Sequence, residues 1–446
     1  MFDASLKYGI LGLARSGIAA AYKLKEMGAK VFLSELQAAD QISSVQELKQ
    51  NFACEFGGHS EKLLDCDVWI VSPGIPLNVP IISQGRAQGI RMISEIEFGY
   101  QIKAKDSKII AVTGSNGKST TASLIYHILS ELGKKCILAG NIGQAFCSFP
   151  IHKPGIEYIV LEISSFQLDL IESFAPDVAI LLNLTPDHLN RYPDFDAYCD
   201  SKMGIFRYQS SADYAVLYHD SIQIKKRDQD LKAQKLYFSS TARDTSAYLN
   251  DKFIHIGDQT FSMYNLKLKG HHNKLNCMAA LLSIQALGLD MDRSMKAAAS
   301  FKALPHRLEY VDSINGVAFY NDSKATNCDS TKNALESFER PIRVILGGSD
   351  KGEDFSLLTD SLQKHAVKAY VTGDTGDLMR QAWLGKMPLE FADDLESCVR
   401  QALADAAIGD NVVLSPACAS FDRFRNFEDR GETFKTIVRK IKREKE

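Results

Sequence analysis

The sequence predicts an α/β protein of three domains, and three observations support this prediction. The chain has 446 residues, about three times the roughly 150 residues of a typical domain. Short apolar runs alternate with helix-like stretches, which indicates parallel β-α-β units. The apolar runs end abruptly in polar residues, as buried parallel strands do.

Composition and charge exclude several other classes of protein. Hydrophobic residues make up 45% and charged residues 24%, so ordinary cores are expected and disorder is not. The net charge is −3 and the basic residues are dispersed, which argues against nucleic-acid binding. No run approaches the roughly 18 apolar residues of a membrane span, and no signal peptide is apparent, so no membrane insertion is expected. The nine cysteines lack a C-x-x-C pair, which favours free thiols in a reducing cytoplasm.

The first hundred residues contain a near match to a dinucleotide-binding loop. The sequence "GLARSG" at 12–17 follows a predicted strand and opens a predicted helix. Ala14 replaces the middle glycine of the usual pattern, and Glu35 ends the next strand, where a ribose-binding acid is expected. A tight strand–helix turn explains the loop equally well. A second Gly/Pro turn, "VSPGIP", follows at 71–76.

The middle of the chain contains a phosphate-binding loop of unusual length. In "IIAVTGSNGKSTTASL", at 109–124, a strand, a glycine turn and a helix follow in order. The general spacing G-x-x-x-x-G-K-[ST] would place the first glycine at Val112, whereas it is Gly114 here. Lys118 is expected to reach the outer phosphates of a nucleotide, and the Ser119 hydroxyl to bind Mg²⁺. An exposed lysine on a tight turn is the alternative, and the order of elements favours nucleotide binding.

Polar residues end the next two strands of the same segment. Glu162 follows four apolar residues, which favours a magnesium-binding carboxylate over a solvated strand end. Asn183, Asp187 and His188 follow the next strand; taken alone, His188 is structural and Asp187 caps a helix. Residues 247–264 have the pattern of a hairpin or meander rather than of a parallel strand.

A last strand–helix set begins after a hinge at 301–305. His306 and Arg307 lie just beyond the hinge, and the loop 321–327 contains Lys324. Lys351 lies in "GGSDKGEDF". Each loop alone could be ordinary. Together, Arg307, Lys324 and Lys351 predict a positively charged surface, a cationic wall, suited to an anionic small substrate and a leaving phosphate.

These motifs, taken in order, resemble the Mur ligases of peptidoglycan synthesis. The resemblance rests on "TGSNGKST", "LEISSFQLD", "NLTPDHLNRY", "GHHNKLN", "PHRLE", "DSKATN", "LGGSDKG" and "SPACASFDRFRNFEDRG". It covers essentially the whole chain and is looser in the first domain, where Ala14 and Glu35 depart from the family pattern. It implies a UDP-binding Rossmann-like domain at 1–104, a central P-loop ATPase α/β domain at 105–302, and a Rossmann-like amino-acid-binding domain at 303–446.

The resemblance also implies an activity. Such an enzyme adds D-glutamate to UDP-N-acetylmuramoyl-L-alanine in the cytoplasm, with ATP, through an acyl-phosphate intermediate. Two Mg²⁺ ions are implied, and Lys202, in "YCDSKMGIF", matches the lysine that such ligases carbamylate. Closure about hinges at 103–108 and 301–305 would bring the reactants together. We expect a monomer without nucleic-acid partners.

Site residues follow from the resemblance position by position. The implied catalytic residues are Lys118, His188, Lys202 and Arg307. The implied metal ligands are Ser119, Glu162, His188 and Lys202. The implied ATP-binding residues are Gly114, Ser115, Asn116, Gly117, Lys118, Ser119, Thr120, Asn273, Asn276, His306, Arg307 and Asp322. The implied residues around the UDP-linked substrate are Arg15, Ser16, Glu35, Ser72, Gly74, Asn141, Ser164 and Gln167. The implied D-glutamate-binding residues are Lys324, Thr326, Lys351, Ser420 and Phe427.

Four other activities fit parts of the pattern. A P-loop GTPase needs an N-K-x-D motif, and "NKLN" at 273–276 lacks the aspartate. A small-molecule kinase has no need of a third α/β domain with a cationic wall. Folylpolyglutamate synthase is a related ligase, and "SPACASFDRF" argues against it. A non-catalytic UDP-sugar binder has no use for Lys118, Glu162 and Lys202 together.

Overall fold

Parallel strands dominate the fold, as the strand–helix alternation predicts. The computed structural model describes residues 2–42, 44–187, 191–250, 252–264, 266–268 and 270–445. Within these residues the strands form three separate sheets of five, nine and six strands. The predicted three-domain α/β fold class is therefore confirmed, with one sheet inside each predicted range.

The first sheet has the strand order β3-β2-β1-β4-β5, and all of its neighbours are parallel. Its strands are β1 (Lys7–Leu11), β2 (Lys30–Glu35), β3 (Ala53–Phe56), β4 (Val68–Val71) and β5 (Arg91–Ile93). Its helices are α1 (Arg15–Glu26), α2 (Val45–Asn51), α3 (Glu61–Leu64), α4 (Pro80–Ala87) and α5 (Glu95–Ile102). The strand order reverses between β1 and β4, which is where ligands bind in open α/β sheets.

The second sheet has the order β14-β13-β12-β11-β10-β9-β6-β8-β7. Its strands are β6 (Lys108–Thr113), β7 (Cys136–Gly140), β8 (Tyr158–Glu162), β9 (Val178–Leu181), β10 (Tyr214–Tyr218), β11 (Gln234–Ser239), β12 (Ala247–Asn250), β13 (Phe253–Ile256) and β14 (Gln259–Ser262). The helices of this part of the chain are α6 (Lys118–Glu131), α7 (Ser165–Leu168), α8 (Phe195–Met203), α9 (Ile222–Lys225), α10 (His271–Ala286) and α11 (Met291–Ser300). Strands β12 to β14 pair antiparallel, which confirms the predicted meander.

The third sheet has the order β15-β16-β20-β17-β18-β19, with only the β15–β16 pair antiparallel. Its strands are β15 (Glu309–Ile314), β16 (Val317–Asn321), β17 (Ile342–Leu346), β18 (Ala366–Val371), β19 (Leu389–Phe391) and β20 (Asn411–Leu414). Its helices are α12 (Cys328–Leu335), α13 (Thr359–His365), α14 (Gly376–Trp383), α15 (Leu395–Ala404) and α16 (Phe427–Lys445). Buried side chains pack on both faces of this sheet, around Phe434 on one face and Trp383 on the other.

The described chain consists of two compact units. The first comprises the described parts of Met1–Leu184, Asp196–Ser262 and Cys277–Ala298, and it contains the first two sheets. The second comprises the described parts of Thr185–Phe195, Met263–Asn276 and Ala299–Glu446, and it contains the third sheet. Among the described residues, no helix is long and apolar enough to cross a membrane.

Within the first unit, a buried carboxylate joins the first sheet to the second. Glu97, in α5, accepts hydrogen bonds at 3.0 Å from the backbone N–H groups of residues 172–174. The Ser173 hydroxyl and the Gln101 amide also donate to this carboxylate. Gly99 packs so closely on the ring of Phe146 that a Cβ would lie 2.4 Å from it. These contacts fix α5 against residues 172–174 and Phe146, which lie in the predicted central domain.

Candidate active site

The phosphate-binding loop connects β6 to α6 through two glycines with positive φ. Gly114 has φ of 149° and Gly117 has φ of 87°, a backbone region that side chains with a Cβ rarely adopt. A Cβ on Gly114 would also lie 3.1 Å from the Cβ of Leu182. Helix α6 begins at Lys118, so the loop runs directly into a helix N-terminus, where backbone N–H groups favour a phosphate.

Asn183, two residues beyond the end of the neighbouring strand β9, holds this loop in place. Its side-chain oxygen accepts the N–H of Asn116 at 2.8 Å, and its amide nitrogen donates to the Asn116 carbonyl at 3.0 Å. Its own carbonyl accepts the N–H of Ser115 at 3.0 Å. The sequence predicts only that Asn183 ends a strand; the pairing of β9 with β6 gives it this role.

Two lysines lie at the start of the loop. Lys118 donates to the carbonyl oxygens of Gly114 at 2.9 Å and Ser115 at 2.7 Å. Lys202, in α8, donates to the same Gly114 carbonyl at 2.9 Å and is only 2% exposed. Its ammonium lies 4.8 Å from the ring centroid of Tyr198, whose hydroxyl is 3.1 Å from the Ser115 hydroxyl. Lys202 is therefore a buried residue of α8 that contacts the phosphate-binding loop.

Oxygen ligands suitable for Mg²⁺ lie beside the loop. Glu162 ends β8 opposite Val112 of β6, is 2% exposed, and accepts a hydrogen bond from the Asn141 amide at 2.8 Å. The buried Ser119 hydroxyl belongs to the first turn of α6. Mg²⁺ is commonly bound by one or two protein oxygens together with phosphates and water, so this donor set fits the ion. His188 lies outside the described residues, and the described ones contain no cluster of three or more His, Cys, Asp or Glu arranged for a metal.

A cavity of about 830 Å³ lies at the carboxyl ends of the first sheet's strands and extends to the second sheet. Seven of the eight residues implied to bind the UDP-linked substrate line it: Arg15, Ser16, Glu35, Ser72, Gly74, Asn141 and Gln167. The eighth, Ser164, is the N-cap of α7 and forms a capping box with Gln167. The structure thus brings together residues from both sheets that are far apart in sequence.

The first turn of α1 packs closely on the loop between β1 and α1, which leaves no room for a side chain at Gly17. A Cβ on Gly17 would lie 2.0 Å from the Gly12 carbonyl oxygen, which also accepts a hydrogen bond from the Ser72 hydroxyl at 2.7 Å. Glu35 orders the same loop, because its carboxylate accepts the N–H of Leu13 at 2.6 Å and that of Gln37 at 3.0 Å. The carboxylate is therefore engaged by the backbone around it.

In the second unit, Lys324 and Phe427 form a cation–π pair. The Lys324 ammonium lies 3.7 Å from the Phe427 ring centroid, within the range of a favourable interaction. The N–H of Thr326 donates to the Lys324 carbonyl at 2.8 Å, and the Ser323 hydroxyl donates to the Phe427 carbonyl at 2.8 Å. Three of the predicted D-glutamate-binding residues, Lys324, Thr326 and Phe427, are therefore close together.

Arg430 connects the loops around this pair. Its buried guanidinium donates to the hydroxyl and carbonyl of Ser323 and to the carbonyl oxygens of Cys418 and Ala419, at 2.8 to 3.1 Å. Burial lowers the pKa of Arg430 to about 10, so the group still carries a positive charge at neutral pH. Sequence reasoning missed this residue, because its partners are up to 107 positions away.

The remaining predicted D-glutamate residues lie in the loops that follow β17 and β20. Ser420 is buried beside Ala419. Lys351 acts electrostatically on Glu353, whose carboxylate accepts the Cys328 N–H at 3.0 Å and whose pKa is raised by burial.

The predicted nucleotide-binding residues of the second unit are mostly buried. His306 has φ of 62°, lies 2.9 Å from the Asn321 amide through Nδ1, and meets Phe427 edge-on. Asp322 accepts hydrogen bonds from the Ser415 hydroxyl at 2.9 Å and the Leu308 N–H at 3.1 Å, and burial raises its pKa to about 7. Their contacts with adenine and ribose stay predictions.

Arg307, Asn273 and Asn276 are the other predicted nucleotide-binding residues of the second unit. The positive charge of Arg307 acts on Asp322 and on His272, whose pKa falls to about 4 through burial first and through Arg307 second. The Asn276 amide donates to the Asn273 side-chain oxygen at 3.2 Å, one turn apart on α10. Asp187, also in this unit, accepts a hydrogen bond from the Asn327 amide at 3.3 Å.

Comparison with known families accounts for most of the chain. Residues 7–79 match the model of the MurD N-terminal domain, residues 112–284 that of the Mur ligase middle domain, and residues 306–418 that of the Mur ligase glutamate ligase domain. The three matches follow the order of the three sheets.

Relatives that match over nearly their whole length are also Mur ligases. The chain is 40% identical to the UDP-N-acetylmuramoylalanine–D-glutamate ligase of Koribacter versatilis, over 97% of each chain. It is 41% identical to the ligase of the same name from Cytophaga hutchinsonii, over 97% of this chain and 99% of the relative. The chain therefore belongs to the Mur ligase family.

Solved structures share the fold at low sequence identity. MurF ligase from Thermotoga maritima has a TM-score of 0.64 at 18% identity, over 99% of this chain and 100% of that one. MurC from the same organism has a TM-score of 0.63 at 18% identity, over 98% of this chain and 100% of that one.

Proposed function

We propose that the protein is the ATP-dependent ligase that joins D-glutamate to UDP-N-acetylmuramoyl-L-alanine. The relatives that match over their whole length have this activity in their names. The proposal covers the substrates, ATP, two Mg²⁺ ions and the residue roles given by the resemblance. The domain boundaries at 104/105 and 302/303 belong to it as well.

One contact supports the proposal most directly. Asn141 lines the 830 Å³ cavity, and its amide donates at 2.8 Å to Glu162, which lies opposite Val112 at the entry to the phosphate loop. A UDP-linked substrate in this cavity would therefore extend its alanyl end toward the loop that binds the ATP phosphates. Activating a carboxylate requires this arrangement, because the carboxylate and the γ-phosphate must meet.

The first step transfers the γ-phosphoryl group to the alanyl carboxylate. One carboxylate oxygen attacks the γ-phosphorus, the bond from that phosphorus to the bridging oxygen breaks, and ADP leaves. Lys118 neutralises charge on the outer phosphates, and the N–H groups of the loop orient them. Bound Mg²⁺, held by Ser119 and Glu162 and, by family resemblance, by His188, would supply further charge neutralisation.

The second step forms the amide. The amine of D-glutamate attacks the acyl carbon of the acyl phosphate, phosphate leaves with the bridging oxygen, and the nitrogen loses a proton. Lys324 and Lys351 offer positive charge to the two carboxylates of D-glutamate, and Ser420 and Thr326 offer hydroxyl groups. Arg430 maintains the loops in which these residues lie.

Lys202 is assigned a covalent modification. Its neutral amine adds to CO₂ and loses a proton, which gives an anionic carbamate in place of an ammonium. The ammonium groups of Lys202 and Lys118 both donate to the Gly114 carbonyl and so repel each other, and conversion of Lys202 to an anionic carbamate would remove this repulsion. A carbamate would offer oxygen ligands of the kind that Mg²⁺ prefers.

The proposal includes a cytoplasmic location and a monomeric state. All nine cysteines are free thiols, which suits a reducing compartment.

Phosphate release from ATP tests the proposal. Release should require UDP-N-acetylmuramoyl-L-alanine together with D-glutamate, and L-glutamate or L-lysine should not replace it. Lys118→Ala should abolish release, because the outer phosphates lose their cation. Release that ignores the amino acid, or that survives Lys118→Ala, would refute the proposal.

A further inference from the structure

The substrate cavity has two ends of different character. One end is lined by Gly140, Asn141 and Gln167 of the second sheet, next to the phosphate loop. The other is lined by Glu35 at the end of β2, by the two residues after it, and by His59, which follows β3. If the sugar and its alanyl group extend toward Asn141, the nucleoside base lies at the opposite end, against His59.

A hydrogen-bond chain fixes which nitrogen of His59 carries a proton. The Ser34 hydroxyl donates at 2.6 Å to the carboxylate of Glu55, which only accepts hydrogen bonds when ionised. Ser34 has one hydroxyl proton, so it must accept from Nδ1 of His59, which lies 2.8 Å away. In a neutral ring this leaves Nε2 as an acceptor.

The ionisation states needed for this chain are those at neutral pH. Burial acts to raise the pKa of Glu55, but hydrogen bonds from Ser34 and Ser60 outweigh it, so the carboxyl is ionised. Burial lowers the pKa of His59 despite the opposing charges of Glu55 and Glu35, so the ring is neutral.

We propose that His59 selects uracil by accepting the N3–H of the base at its Nε2. This inference rests on the proposed function, because it assumes that a uridine nucleotide occupies the cavity. Uracil presents a donor at N3, whereas cytosine presents an acceptor there. An Nε2 lone pair therefore attracts the first base and repels the second.

Two neighbouring residues support this assignment. Glu35 has its carboxylate engaged by the N–H groups of Leu13 and Gln37. No group among the described residues bonds to Nε2 of His59. Leu36 is 68% exposed and lines the same end of the cavity, which offers an apolar surface to the face of a planar base.

Binding calorimetry on the full-length protein tests the inference with UDP, CDP and N3-methyl-UDP. The wild type should bind UDP at least about tenfold more tightly than the other two nucleotides, the factor expected for one hydrogen bond. His59→Ala should lose this preference by weakening UDP alone. His59→Gln should restore part of it, because its side-chain oxygen accepts a hydrogen bond. Ser34→Ala should reduce the preference, since the tautomer is then no longer fixed.

The outcomes separate the inference from the proposed function. If His59→Ala keeps the UDP preference while UDP still binds, the inference is wrong and the proposed function stands. If the wild type binds no uridine nucleotide and releases no phosphate with UDP-N-acetylmuramoyl-L-alanine, the proposed function fails and the inference with it. His365→Ala, on α13, is the matched histidine control and should leave all three affinities unchanged.

Discussion

Lys118 and Lys202 donate hydrogen bonds to the same acceptor, the carbonyl oxygen of Gly114, each at 2.9 Å. Two ammonium groups at one carbonyl give the start of the phosphate loop a concentrated positive charge. The two ammonium groups repel each other there, and the carbamate proposed for Lys202 would remove this repulsion and leave the Lys118 charge for the triphosphate of ATP.

Replacing Lys202 by alanine should reduce ligase activity by roughly 100-fold or more, the size of effect seen when one charge-stabilising group is lost. Short carboxylic acids added to the variant should restore part of the activity, because they can occupy the space of the missing carbamate. Phosphate release is the measurement, and Lys108→Ala, an exposed lysine on β6, is the control. An active Lys202→Ala enzyme would remove Lys202 from the mechanism.

Asn183→Ala should weaken ATP binding by releasing Asn116 from its two side-chain hydrogen bonds. Each lost bond is worth about 1 kcal/mol, so KM for ATP should rise by about tenfold or more. Asn183→Asp keeps the acceptor and loses the donor, and should give a smaller increase. Steady-state kinetics with varied ATP measures both, and an unchanged KM in both variants would show that Asn183 does not shape the loop.

Glu97→Gln should lower the free energy of unfolding by roughly 3 kcal/mol at neutral pH. The amide oxygen can still accept the three N–H groups that donate to Oε2, but the amide nitrogen cannot accept the hydrogen bonds that Gln101 and Ser173 donate to Oε1. Burial raises the pKa of Glu97, but hydrogen bonds from Gln101, Ser173 and the N–H groups outweigh it and leave the pKa below its ordinary value. The stabilisation is therefore present above the unfolded-state pKa and is lost as the pH falls through the folded-state value.

Denaturant titration of Glu97→Gln and wild type across this acidic range measures the difference. The difference in free energy of unfolding between the two proteins should become smaller as the pH falls. Glu61→Gln, an exposed glutamate of α3, should show no gap at any pH. A gap that is constant with pH would show that the Glu97 charge is not responsible.

Arg430→Lys should raise KM for D-glutamate while leaving KM for UDP-N-acetylmuramoyl-L-alanine unchanged. Lysine keeps the charge but cannot reach Ser323, Cys418 and Ala419 at once, so the loops around Ser420 lose their alignment. We expect an increase of about tenfold or more. Arg425→Lys is the control, since Arg425 is 86% exposed on the same segment. Equal effects on both substrates would point to general destabilisation.

The sequence predicted features that depend on residues near each other in the chain. The β6–loop–α6 unit, the strand-end position of Glu162 and the antiparallel β12–β14 meander follow from local pattern, and the structure contains all three. Asn183, Arg430 and Glu97 were not predicted to have the roles that they have here. Each has partners that are distant in sequence: Asn116 lies 67 positions from Asn183, Ser323 lies 107 positions from Arg430, and residues 172–174 lie 75 to 77 positions from Glu97. Only the fold brings these partners together.

The central claim is that the alanyl carboxylate attacks the γ-phosphorus of ATP. It is tested most directly with UDP-N-acetylmuramoyl-L-alanine whose carboxylate is labelled with ¹⁸O. The account predicts that the phosphate released with D-glutamate contains one labelled oxygen, which was the bridging atom of the acyl phosphate. Phosphate without label, formed while the amide product accumulates, would contradict it.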